Sequence, residues 1–175
     1  ENEQTSDFEK IVEDSLAELN LTPSLDVLRR IPEVLRDDPQ GLTLTTFQGH
    51  VVDIEPGDTT ENKFGMAFDI GTTSIVGSLV DLSTGESMAS VGGVNPQAVY
   101  GGDLMSRISY AQFDSKKLAT MRAKVLGAIN GYIEEACEKA NIPTTQVYKL
   151  VIAGNTCMHH MFLGVDTSYV GLAPY

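Results

Sequence analysis

The stretch "MAFDIGTTSIVGSLVD" at residues 66–81 decides the fold, because it joins two apolar runs through a short polar turn. Two apolar runs separated by glycine and hydroxyl residues predict two adjacent strands. Gly71 in the turn allows close approach of a ligand or a positive φ. The N–H groups and hydroxyls of Thr72 and Thr73 can donate to phosphate oxygens. The stretch therefore predicts a phosphate-binding turn.

Asp69, at the tip of the first run, carries a negative charge that would repel a phosphate. Its position makes sense if Mg²⁺, or the waters of that ion, lies between the two groups. We therefore interpret Asp69 as the catalytic carboxylate and as a magnesium ligand acting through water. The pattern leaves an alternative open, in which the turn is an ordinary polar hairpin and Asp69 is only a turn residue.

Charge divides the chain near residue 62. Residues 1–62 hold 15 acidic and 4 basic side chains, whereas residues 63–175 hold 9 and 8, within a net charge of −12. An acidic first part repels nucleic acid, and no apolar run is long enough to span a membrane. The two cysteines are widely spaced, which favours reduced thiols in a cytoplasmic protein. The first and last residues, "ENEQTSDFEK" and "VGLAPY", favour a piece of a longer protein.

The pattern of residues 1–62 predicts a small α+β domain. Helical spacing of apolar residues predicts a helix at 8–19. A second helix is expected after the capping residue Ser24, with a break or kink near Pro32. Strands are predicted at 42–47 and 50–55, and "PGDTTENK" is a polar linker.

The second part reads as an α/β unit with the order β-β-β-α-β-α. Strands are predicted at 64–70, 74–82 and 86–94 as a meander, and a fourth at 148–154. Asp103 can cap a short helix, and a long helix is predicted at 115–140. That helix would cover one face of the sheet and leave the other face partly open, together with the helix after Thr156.

Two further motifs border the predicted sheet. "NPQAVYGGDLMSRI" is interpreted as a cleft wall or partner surface, or else as a turn, a cap and an exposed Asp103–Arg107 ion pair. "AGNTCMHH" follows the fourth strand and either lines the same cleft or caps a helix. In "CMHH" the cysteine and histidines fall on different helix faces, so no metal site is predicted. The candidate residues are Asn95, Gln97, Tyr100, Asp103 and Arg107 in the first motif, and Gly154, Asn155 and Thr156 in the second.

Residues 64–175 resemble the first half of an actin-like ATPase domain, a member of the ribonuclease H-like fold class. The first phosphate motif of that superfamily matches at Asp69, Gly71, Thr72 and Thr73. Within it, "FGMAFDIGTTSIVGSLVDLSTGE", "NPQAVYGGDLMSRISYA" and "VIAGNTCMHHMFLGVD" resemble the reductive activators of corrinoid proteins. The segment "LTPSLDVLRRIPEVLR" at residues 21–36 looks more loosely like the small middle domain that precedes the ATPase domain in that family, so residues 1–62 are interpreted as that small acidic domain and its linker.

The resemblance implies an activator that couples ATP and Mg²⁺ to reduction of a Co(II) corrinoid protein to Co(I). It also implies an N-terminal [2Fe–2S] domain and a second ATPase half, neither of which is recognisable in this sequence. The corrinoid protein would be the partner, without nucleic acid or membrane, and a homodimer is an open arrangement. The sequence also allows two other functions, an actin-like small-molecule kinase and a non-catalytic interaction domain.

Overall fold

Two compact units, residues 1–62 and 63–175, make up the chain in the computed structural model. The structure describes residues 10, 14–38 and 41–172, and it is a mixed α/β protein with two separate sheets. Residues 14–18 are helical, as expected for the first predicted helix. Phe8, Ile11 and Val12, on which that prediction also depends, lie outside the described residues.

The first unit is a three-stranded sheet covered by one helix. The elements are β1 (Thr22–Pro23), α1 (Leu25–Asp37), β2 (Leu42–Phe47) and β3 (His50–Pro56). Strand β2 pairs antiparallel with β3, and β1 pairs parallel with β3 on its other side. The helix buries Val27, Ile31 and Val34 in a core with Val51 and Ile54 of β3.

Helix α1 begins as predicted and is continuous at Pro32, where a break or kink was expected. The Ser24 hydroxyl accepts a hydrogen bond from the N–H of Val27 at 3.2 Å, which confirms the cap. The expected break near Pro32 is wrong, because the helix runs through Pro32 to Asp37. Ile31 and Val34 flank the proline and are both buried, so their packing holds the helix together where the backbone lacks one hydrogen bond.

The second unit is a four-stranded sheet with three helices. The elements are β4 (Phe64–Ile70), β5 (Ser74–Asp81), β6 (Ser87–Val94), α2 (Leu104–Ala111), α3 (Ser115–Ala140), β7 (Val147–Gly154) and α4 (Thr156–Leu163), with 3₁₀ turns at Pro96–Tyr100 and Thr144–Gln146. The strand order in the sheet is β6-β5-β4-β7, in which β4, β5 and β6 are antiparallel neighbours and β7 runs parallel to β4. Each strand lies within one residue of its predicted bounds. The two predicted helices α2 and α3 connect the third and fourth strands of this unit.

One face of this sheet is buried beneath the three helices. Alternate residues of β4 and β5 point into the core, as the two-residue period of a strand requires. Helix α3 contributes a long apolar stripe, and helix α4 adds Cys157, Met158 and Met161. Helix α4 is partly open, as expected, because Leu163 is 64% exposed while one side of the helix is buried. The largest core residues include Met66, Phe68, Ile70, Ile75, Leu79, Met121, Val125 and Ile129.

The opposite face of the sheet is exposed, as the sequence predicted. Val76 on β5 is 54% exposed, Val94 on β6 is 71% exposed, and Val151 on β7 is 52% exposed. No helix among the described residues is long and apolar enough to cross a membrane.

Candidate functional site

The carboxyl ends of β4 and β7 meet at one edge of the second sheet. These strands are parallel, and Ile70 is aligned with Gly154. The 71–73 turn that follows β4 therefore lies beside Asn155, which begins helix α4. Ligands gather at such strand ends in open α/β sheets. The pairing of these two strands thus brings the first and third predicted motifs to one edge.

The turn after β4 is closed by Gly71, whose N–H donates to the Ser74 carbonyl at 2.9 Å. Gly71 does not have a positive φ. A Cβ at this position would lie 2.9 Å from the Ser74 carbonyl oxygen, which is closer than side chains tolerate. The positive φ is therefore wrong for Gly71, and the close approach of a ligand stays a prediction. The structure adds a third reason for glycine, which is the contact with the turn's own backbone at Ser74.

Asp69 lies on the exposed face of β4, opposite to the buried Phe68 and Ile70. Its neighbours in register are Val76 on β5 and Ala153 on β7, which offer no charge. Among the described residues, no group donates a hydrogen bond to its carboxylate. A carboxylate with this freedom at a strand end is available to a hydrated cation.

Three buried polar side chains of the second motif lie inside the unit. Asn95 donates from Nδ2 to the Gly71 carbonyl at 2.8 Å, and its own N–H donates to the Thr73 carbonyl at 2.8 Å. Gln97 donates from Nε2 to the Met121 carbonyl at 3.2 Å.

Arg107 donates from Nη2 to the Thr72 carbonyl at 2.6 Å and from Nε to the Gly101 carbonyl at 2.8 Å. All three side chains are buried, so none forms an outer surface for a partner.

The two exposed or half-exposed members of that motif have local roles. Asp103 caps helix α2, accepting from the N–H and hydroxyl of Ser106, and these bonds hold its pKa below the usual value. No ion pair joins Asp103 to Arg107 among the described residues. Tyr100 stacks on Tyr110 with ring centroids 4.8 Å apart. The alternative of a cap therefore describes Asp103, but the exposed ion pair is absent.

The start of helix α4 contributes the third motif. The Asn155 side chain accepts from the N–H of Met158 at 3.0 Å, so it is the residue that caps this helix. A Cβ at Gly154 would lie 3.0 Å from the Ile70 carbonyl oxygen, so glycine lets the two strand ends pair closely. Thr156 is exposed at the first helical position. The partial positive charge of a helix N-terminus thus lies at the same edge as the 71–73 turn.

Met158 also belongs to the site, although no motif in the sequence pointed to it. Its sulfur lies 3.7 Å from Asn95 Nδ2 and 3.8 Å from an Arg107 guanidinium nitrogen. It therefore connects helix α4 to both side chains that hold the turn. A methionine in an apolar helix is ordinarily core, and no sequence signal separates this one from Met161.

The two cysteines are buried and free. They are Cys137 on α3 and Cys157 on α4, and burial raises the pKa of both thiols, with Arg107 opposing that rise at Cys157. Within residues 10, 14–38 and 41–172, no three side chains of histidine, cysteine, aspartate or glutamate gather in a way that would hold a metal ion.

Chemically, the edge offers donors and one carboxylate. Neither the N–H nor the hydroxyl of Thr72 or Thr73 has a hydrogen-bond partner among the described residues. Asp69 adds a free negative charge close to these donors in sequence. Together they suit an anion accompanied by a divalent cation.

The fold and this edge define a mixed α/β protein with a candidate anion-binding hairpin turn. Comparison with known families assigns it further. Residues 64–175 match the model described as "RACo middle region", and residues 1–61 match the "RACo linker region". The chain belongs to the RACo family. The family's own descriptions thus call the first unit a linker and the second unit the middle region.

Two relatives support this assignment. The chain is 34% identical over 156 residues to the "Corrinoid activation enzyme RamQ" of Eubacterium limosum, covering 88% of this chain and 26% of that protein. It is also similar to the solved structure of a "Reductive activator for corrinoid,iron-sulfur protein", with a TM-score of 0.75, 34% identity, and coverage of 89% of this chain and 25% of that one. The chain therefore spans about a quarter of the length of each relative.

Proposed function

We propose that this chain is part of an ATP-dependent activator of a corrinoid protein. The names of both relatives refer to corrinoid activation, and they support a corrinoid protein as the partner. In this proposal, residues 63–175 are the first subdomain of an actin-like, ribonuclease H-like ATPase domain. Residues 1–62 are the small acidic domain that precedes it.

The observation that carries the ATP part of the proposal is the pair of N–H groups at Thr72 and Thr73, three and four residues after Asp69. Neither these N–H groups nor the Asp69 carboxylate has a hydrogen-bond partner within the described part of the chain. The threonine N–H groups and hydroxyls would hold phosphate oxygens of ATP. Asp69 would hold Mg²⁺ through its waters. Gly154, Asn155 and Thr156 would form the neighbouring wall at the end of β7.

The role proposed for ATP is to change the state of the activator and the corrinoid protein so that Co(II) can be reduced to Co(I). A ligand shifts such an equilibrium only through different affinities for the two states. Cys137 and Cys157 are buried on different helices and cannot supply the four thiolates of a [2Fe–2S] cluster. Residues outside this sequence would have to hold that cluster and deliver the electron.

The setting proposed for the protein is the cytoplasm, where buried thiols stay reduced. The proposal includes neither nucleic acid nor membrane among the partners. A homodimer is compatible with it, and gel filtration of the full-length protein would decide the oligomeric state.

Replacing Asp69 tests the proposal. In the full-length protein, Asp69→Ala should abolish Mg²⁺-dependent ATP hydrolysis while the circular dichroism spectrum stays unchanged, because the cation loses its carboxylate. Asp81→Ala is the matched control. It also removes an aspartate from the end of a strand in this sheet, but Asp81 accepts bonds from the N–H groups of Ser83 and Thr84 in the distal turn.

Asp81→Ala should lower the melting temperature and leave hydrolysis intact. An Asp69→Ala protein that hydrolyses ATP at the normal rate with saturating Mg²⁺ would refute the phosphate–metal site. Transfer of the γ-phosphoryl group of ATP to the hydroxyl of a small substrate, instead of to water, would favour the kinase.

A further inference from the structure

Three consecutive carbonyls of the 71–73 turn accept hydrogen bonds from two residues of the second motif. Asn95 holds the Gly71 and Thr73 carbonyls, through Nδ2 and its backbone N–H, and Arg107 holds the Thr72 carbonyl through Nη2. These contacts join residues that are 24 and 35 positions apart in the sequence. The turn's backbone orientation is therefore set from outside the turn.

Both holding residues lie on the same side of the turn. Asn95 and Arg107 are buried, and both approach the sulfur of Met158, at 3.7 and 3.8 Å. Asn95 is fixed further because its Oδ1 accepts from the N–H of Gln97 at 2.9 Å. Arg107 is fixed further by its bond to the Gly101 carbonyl. The turn thus rests on a rigid, buried polar cluster.

The direction of the N–H groups follows from peptide geometry. In a planar trans peptide, the C=O and the next N–H point in opposite directions. Because the Gly71 and Thr72 carbonyls point to the buried side, the N–H groups of Thr72 and Thr73 point away from it. Successive N–H groups that project from one side of a turn form an anion-binding concavity.

Arg107 contributes a positive charge beside the turn, in addition to orienting the N–H groups of the turn. No carboxylate forms an ion pair with it among the described residues, although it is buried. Its guanidinium therefore places a positive charge directly behind the turn, and the Asp103 carboxylate also attracts this charge without pairing with it. A positive charge in a site of low polarity attracts an anion more strongly than the same charge in water.

We propose that Asn95 and Arg107 are positioning residues, which aim the Thr72 and Thr73 N–H groups outward and, through Arg107, supply positive charge to the phosphate site. This inference rests on the proposed function, since it presumes that the turn binds the phosphates of Mg-ATP. It gives the second motif a role in the phosphate site that the sequence did not reveal.

Two variants of the full-length protein test the inference, with Mg-ATP affinity measured by calorimetric titration. Arg107→Lys keeps the charge but loses the planar fork that reaches two carbonyls together. Asn95→Ser keeps an acceptor for the Gln97 N–H but is too short to reach the Gly71 carbonyl. Each should weaken Mg-ATP binding roughly ten- to hundredfold, as expected when an oriented charge-assisted contact or a buried hydrogen bond is lost.

Two control variants separate positioning from a general loss of stability. Ile108→Val removes a methyl group from the core of the same helix without touching the turn. Arg122→Lys alters another arginine that donates to a backbone carbonyl, that of Phe162, away from the turn. Both should retain normal Mg-ATP affinity, even if Ile108→Val lowers the melting temperature as much as Arg107→Lys does.

The outcomes are distinguishable. If Gly71→Ala and Asp69→Ala weaken Mg-ATP binding but folded Arg107→Lys and Asn95→Ser do not, the positioning role is wrong and the phosphate site stands. An affinity that falls equally in Ile108→Val would also reject positioning, because the loss would follow stability alone. If the unaltered protein does not bind Mg-ATP, the proposed function itself fails.

Discussion

Gly71 and Gly85 occupy two turns at opposite ends of β5, and they need glycine for different reasons. At Gly71 a Cβ would meet the Ser74 carbonyl oxygen at 2.9 Å, whereas at Gly85 the space is open but φ is +80°. Gly71→Ala should shift the phosphate turn and weaken Mg-ATP binding by about tenfold or more, since anion donors must be aimed closely.

Gly85→Ala is the control. An alanine held in the left-handed backbone conformation costs about 1–2 kcal/mol of stability, but position 85 lies in the distal turn, away from the phosphate turn. Thermal unfolding and calorimetric titration should show both variants destabilised and only Gly71→Ala impaired in binding. Equal affinities in the two variants would mean that Gly71 serves only the hairpin.

At this scale the sequence predicted which residues form the turn, but not how the turn is held. Asp69, Gly71, Thr72 and Thr73 are adjacent, so their association needs no tertiary information. The hydrogen bonds from Asn95 and Arg107 to the turn depend on which strand ends and which helix lie beside it. The sequence spacing of these two residues does not indicate that arrangement. The expected Asp103–Arg107 pair failed because Asp103 caps its helix through Ser106 while Arg107 turns into the core.

Among the elements, helix α1 carries an internal defect that substitution can remove. Pro32 has no N–H to donate to the carbonyl four residues earlier, and its ring crowds that carbonyl, a cost of about 3 kcal/mol in a helix interior. Replacing Pro32 by alanine removes this cost. The replacement also makes the unfolded chain more flexible, which lowers the free energy of unfolding by about 1 kcal/mol. We therefore expect the free energy of unfolding of the first unit to rise by roughly 2 kcal/mol.

Chemical denaturation followed by circular dichroism measures this change. Pro143→Ala is the control, because Pro143 precedes a 3₁₀ turn outside any α-helix, and it should leave stability unchanged or slightly lower. A Pro32→Ala protein less stable than the parent would show that the proline ring contributes packing that outweighs the missing hydrogen bond.

The element boundaries were largely predictable because local signals set them. Glycines and polar residues separate the strands of the second unit, and Asn141 ends helix α3 in the left-handed conformation. Pro32 shows where local rules fail. Its neighbours Ile31 and Val34 bury against β3, and that packing outweighs the intrinsic preference of proline to end a helix.

At the scale of the whole molecule, the second sheet leaves one face exposed to solvent. Val76, Val94 and Val151 form part of an exposed apolar face next to the carboxylate of Asp69. The sequence predicted this asymmetry, since it offered one long amphipathic helix for one face. What covers the other face depends on residues that these strands do not specify.

The 175-residue chain alone should bind Mg-ATP weakly, if at all, and should not hydrolyse it at a useful rate. It spans about a quarter of the length of its relatives, and in the proposed fold the nucleotide lies between two subdomains, of which this chain supplies one. A site with half its donors lacks both oriented charge stabilisation and exclusion of water. The exposed apolar face should also favour self-association. Calorimetric titration and analytical ultracentrifugation of the chain, beside the full-length protein, test both expectations. Micromolar binding with steady turnover by a monomeric chain would show that the active site is complete within these residues.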